Sequence, residues 1–99
     1  MAVPLAAGRL PAYLHAALAG ELARVAAATE GSRNHTLYIA AVALGQLVAG
    51  GALPAELVTA ELERAAASVG LATTEAAGTI RSGLRAGARR PRRPGRVAA

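Results

Sequence analysis

The chain has 99 residues, no Cys, Phe or Trp, two Tyr, and eleven cations against six anions. This length holds one small domain, the absence of cysteine excludes a disulfide framework or thiolate metal site, and no apolar run nears the ~20 residues of a membrane span. The charge is lopsided: seven arginines and no acid follow from Arg81 onward, while residues 1–80 carry four arginines against six glutamates. Such a basic end calls for a polyanionic partner, nucleic acid or nucleotide phosphates.

Residues 1–9 lack the basic start and sustained apolar core of a signal peptide, since Pro4, Gly8 and Arg9 interrupt them. They are expected to be a flexible N-terminus of a cytoplasmic protein. A first helix is predicted from about Pro11 to Ala28, with Leu10, Leu14, Leu18, Leu22 and Val25 at helical spacing and His15, Gly20 and Arg24 on the outer face. Such an amphipathic helix belongs at the edge of a bundle.

The second helix is expected from near Asn34 to about Ala49. Leu37, Tyr38, Ile39, Val42, Leu44, Leu47 and Val48 spread apolar surface around it, as in a central, buried helix. Gly50 and Gly51 break the chain, Pro54 restarts it, and Val58, Leu62, Ala65, Ala66 and Val69 form the inward stripe of a third helix. Gly70 and Leu71 have the pattern of a Schellman stop. Thr73 is then expected to cap a fourth helix ending near Gly87, with Ala77, Ile80 and Leu84 buried and Arg81, Arg85 and Arg89 on the adjacent face.

These readings give an all-α, compact four-helix bundle with short connections over residues 10–87. The Arg/Pro-rich segment 88–99 is expected to form a disordered basic tail. With no Phe or Trp, a core of Ala, Leu, Val and Ile must come from closely approaching helices, and self-association would add stability.

Two constellations bear on function. Gly31-Ser32-Arg33-Asn34 stands where unpaired N–H groups and the helix dipole favour an anion, with Arg33 as a bidentate clamp. The competing reading is that Ser32 or Asn34 caps the helix and Arg33 is solvated. Arg81, Ser82 and Arg85, with Arg89 beyond them, are placed to hold phosphates along the fourth helix, and Gly78, Gly83 and Gly87 permit close backbone approach. Alternatively, Arg85 and Arg89 complement the helix dipole and the glycines serve helix packing.

The third and fourth helices also have a helix-turn-helix outline. The N-terminal half of the fourth, however, offers Thr73, Thr74, Glu75 and Gly78 in place of base-reading cations, which disfavours duplex reading. No Glu-x-x-His or paired-His spacing and no Walker or dinucleotide glycine pattern is present, so neither an autonomous enzyme nor a metal or cofactor is expected.

The series Gly31-x-Arg33-Asn34-x-x-Leu37, Leu44-Gly45-Gln46-Leu47-Val48, Gly70-Leu71, Glu75-Ala76 and Thr79-Ile80-Arg81-Ser82-Gly83-Leu84-Arg85-Ala86-Gly87 resembles the primase C-terminal helical segment. Such segments occur in bifunctional primase-polymerases and phage or plasmid primases of high-GC bacteria, and the resemblance covers about residues 11 to 90. It implies an accessory module in replication priming that engages template, single-stranded DNA above all, or nucleotide phosphates beside a separate catalytic domain. Such sequences often have Ser at the position of Ala72, where it forms a capping box with Glu75. A second function is carried by the apolar circumference of the second helix: a protein-interaction or homodimerisation module without nucleic-acid binding.

Overall fold

The computed structural model describes residues 10–93, and its four helices are α1 (Ala12–Ala27), α2 (Arg33–Ala49), α3 (Ala55–Ser68) and α4 (Thr73–Ala88). No strand occurs among the described residues, so the fold is the all-α four-helix bundle expected from the apolar spacing. Residues 1–9 and 94–99, the expected N-terminal segment and the second half of the basic tail, lie outside the described residues.

Local chemistry sets the helix boundaries. Pro11 and Pro54 occupy the positions before α1 and α3 in extended conformation, where a missing N–H loses no helical bond. Gly70 takes φ +84°, and the Leu71 and Gly70 N–H groups donate to the carbonyls of Ala66 and Ala67 at 3.1 and 3.0 Å. These two bonds make the expected Schellman stop. Gly51, also at φ +84°, closes α2 in the same way, with Ala52 N–H donating to Leu47 and Gly51 N–H to Val48. At α4 the expectation shifts by one residue: Ala72 holds the N-cap position, Thr73 is the first helical residue, and no side chain caps the end.

α2 is the central helix and packs against the other three. Leu37, Leu44, Leu47, Leu62, Ile80, Val25 and Val58 are fully buried, and no polar or charged residue is buried among those described. α1 presents Leu14, Leu18 and Val25 inward, as its spacing requires, and leaves His15 and Arg24 exposed. On α3 the stripe is Leu57, Val58, Leu62 and Ala66, with Ala65 and Val69 half-buried.

The inward face of α4 differs from the expected one. Ala76, Ile80, Gly83 and Gly87 are buried, while Ala77 and Leu84 are only half-buried. α4 turns its glycines toward α2 because that face permits backbone contact. A Cβ on Gly83 would lie 2.5 Å from Ala41 Cβ and 2.9 Å from the Tyr38 carbonyl oxygen. One on Gly87 would meet the carbonyl of Val42, and one on Gly45 would lie 2.8 Å from Leu84 Cα. The residues that meet advance together, Tyr38 with Gly83 and Val42 with Gly87, so α2 and α4 run parallel. Of the two expected roles for these glycines, Gly83 and Gly87 serve helix packing, whereas Gly78 opens toward an external groove.

The two kinds of glycine in one helix respond oppositely to a methyl group. Gly83→Ala is expected to destabilise the fold by about 1–3 kcal/mol through overpacking against α2. Gly78→Ala, whose Cβ would meet nothing nearer than an Arg81 nitrogen at 3.9 Å, should stabilise it by about 0.4–1 kcal/mol. Urea denaturation of both variants measures the difference.

Candidate functional site: a polar groove between the second and fourth helices

The parallel α2–α4 pair brings the first turns of both helices to one end of the bundle, where a groove of about 640 Å³ opens between them. α2 contributes Asn34, His35 and Tyr38; α4 contributes Thr74, Glu75, Gly78, Thr79, Arg81, Ser82 and Arg85. On α4 the steps of three and four residues from Glu75 through Gly78 and Ser82 to Arg85 form one helical face.

One contact fixes the groove's polarity. Thr79 Oγ1 donates to Asn34 Oδ1 at 2.6 Å, so the Asn34 carbonyl oxygen is occupied and its NH₂ remains as a donor. With the guanidinium groups of Arg81 and Arg85 and the Ser82 hydroxyl, the groove is rich in donors, and Arg81, Ser82 and Arg85 are all exposed. Glu75 is its single carboxylate. The helix ends add to this character, because Ser32 and Ala72 supply no side-chain cap and leave first-turn N–H groups unpaired at both N-termini.

Ser32 does not cap α2 because its hydroxyl turns back to the Thr29 carbonyl, 3.1 Å away. Asn34 is engaged with Thr79, so neither residue of the simple capping alternative performs that role.

Of the six residues singled out from the sequence, Asn34, Arg81, Ser82 and Arg85 line this groove. The structure does not bring in the other two. Arg33 is half-buried and its Nε donates to the Ala28 carbonyl at 3.4 Å, which ties it to the end of α1. Arg89 is exposed just past the end of α4 and does not line the groove. Arg85 lies both in the last turn of α4, where a cation suits the dipole, and in the groove, so its two expected roles coincide.

Sequence reasoning missed His35, Tyr38, Thr74, Glu75 and Thr79 as groove residues, whereas Gly78 stood with the α4 arginines from the start. The α4 members were detectable from their helical spacing with Ser82 and Arg85. Those of α2 were not, because their assignment depends on which helix packs beside it.

Among the described residues no three His, Asp or Glu side chains come together as a metal would require, and no helix is long and apolar enough to cross a membrane. Compared with family models, curated proteins and solved structures, the chain matches none.

Ala72 has the backbone geometry of an N-cap, φ −64° and ψ 142°, and Glu75 stands three residues on. Ala72→Ser is therefore expected to complete a capping box and stabilise the fold by about 1 kcal/mol, read as a raised Tm.

Proposed function

We propose that this chain is a nucleic-acid-binding helical module that grips phosphates in the α2–α4 groove, with single-stranded DNA as its preferred partner. The observation that carries this reading is the convergence of Asn34, Arg81, Ser82 and Arg85, two guanidinium groups and two neutral donors, in one groove that also takes in the uncapped first turns of both helices. The exposure of both arginines suits a ligand that arrives from solvent, and a groove shared by two rigid helices keeps the donors in fixed relation. The resemblance to primase C-terminal segments, which rests on short motifs, gives the module its proposed setting: an accessory to a replication-priming catalytic domain in the cytoplasm.

Glu75 tempers the groove. A carboxylate among the donors lowers the net attraction for a bare anion and supplies one acceptor for a ligand that also carries donors, as sugars and bases do. Base stacking has little to draw on, since Tyr38 is half-buried and Tyr13 lies on α1 outside the groove. Affinity therefore comes mainly from phosphate contacts and falls with salt.

One observation favours the other reading, a protein-interaction or homodimerisation module: Ile39, a large apolar side chain on the central helix, is 49% exposed. Light scattering separates the two. A stable dimer that covers Ile39 and occludes Arg81 supports an interaction module, and a monomer with free Arg81 supports the nucleic-acid reading.

In fluorescence anisotropy with labelled single-stranded DNA, Arg81→Glu combined with Arg85→Glu is expected to weaken binding at least about tenfold. It should also reduce the slope of log K against log salt by about 1.4, two phosphate contacts at about 0.7 each. Arg33→Gln, outside the groove, should leave affinity within about twofold. Equal affinity of the double variant and the parent chain would assign the binding to the basic tail.

A further inference from the structure

The segment after α4 does not simply leave the bundle. Arg89 and Arg90 N–H groups close the end of α4 on Ala86 and Gly87, and the chain then turns so that Arg92 N–H donates to the Gln46 carbonyl of α2 at 2.9 Å. Gly50 makes the crossing possible, because a Cβ there would strike the Arg92 carbonyl oxygen. Its backbone, at φ −78° and ψ −1°, is one that any residue adopts, so its φ and ψ do not call for glycine. Beyond Gln46, Arg92 borders a small depression with Leu47 of α2 and with Gly20, Glu21 and Arg24 of α1.

The crossing matters because α1 and α4 share no substantial packing of their own among the described residues. A chain that leaves α4, pairs with α2 and borders a depression shared with α1 lies toward that open side. It also closes the far end of the α2–α4 pair, as Thr79 and Asn34 close the groove end. The two closures are twelve residues apart on α2, from Asn34 to Gln46, or about 18 Å along the helix.

We propose that residues 89–93 are a strap that ties the end of α4 to α2, and so holds the groove-bearing helix in register. This does not depend on nucleic-acid binding. The strap also places the backbone of Arg92 beside Gln46, twelve residues along α2 from the groove residue Asn34.

Amide hydrogen exchange of the full chain tests this directly, with Gly50→Ala as the variant that evicts the strap by one methyl group. In the parent chain the Arg92 amide is expected to exchange at least about tenfold more slowly than its intrinsic rate. In Gly50→Ala that protection should vanish, the amides of the last turn of α4 should exchange faster, those of α3 should be unchanged, and Tm should fall. Without a strap the sign reverses, because Gly→Ala at a helix end in ordinary backbone geometry raises stability. An unprotected Arg92 amide in the parent chain, or a Gly50→Ala variant with higher Tm, would overturn the proposal. Loss of Arg92 protection with no change in α4 would overturn its positioning role. Since no ligand enters the experiment, its outcome is independent of whether the groove binds DNA.

Discussion

The backbone contact between α2 and α4 is the constraint on which the other features depend. A core with no Phe or Trp has few large side chains to span a gap, so apolar burial must come from helices that nearly touch. Gly45, Gly83 and Gly87, with Ala41 opposite, remove the side chains that would hold the helices apart. Glycine inside a helix costs roughly 0.5–1 kcal/mol against alanine, and this packing geometry offsets that cost by bringing backbone and neighbouring side chains into dispersion contact.

That contact also fixes the electrostatics of the groove. Because the two helices run parallel, their dipoles align and both positive ends lie on the same side of the bundle. Antiparallel neighbours would have placed one positive and one negative end there. The arrangement is mildly repulsive in itself, and Glu75 in the first turn of α4 is the nearest compensation. An anion bound between the ends would relieve it further. The parallel packing therefore links a feature of the core, glycine contact, to a property of the surface, the placement of two positive dipole ends on one side.

Most of the fold was legible in the sequence because its signals are local. Pro11, Pro54, Gly51 and Gly70 mark ends by backbone chemistry that needs no partner, and the leucine spacing of α1 identifies its buried face. The buried face of α4 was not legible in the same way. Apolar size favoured Ala77, Ile80 and Leu84, whereas the structure buries Gly83 and Gly87, whose value lies in what they lack and appears only once α2 is beside them. The candidate site divided along the same line. Arg81, Ser82 and Arg85 share a helix face that spacing reveals, while the position of Arg33, turned to Ala28, depends on how the α1–α2 connection folds.

The charge asymmetry of the sequence acquires a spatial meaning that composition could not supply. Seven arginines follow residue 80 without an acid, and the structure assigns different places to some of them. Arg81 and Arg85 line the groove, while the chain at Arg92 is tied to the far end of α2. A flexible polyanion that engages both the groove and the chain at Arg92 must pass along the C-terminal end of α4. Once one end is bound, the second contact becomes intramolecular, with an effective concentration set by the length and stiffness of the strand between them. A ligand too short to reach is limited to the contacts of one region. The α2–α4 pair is thus both the core of the bundle and the frame that positions Arg81, Arg85 and the chain at Arg92.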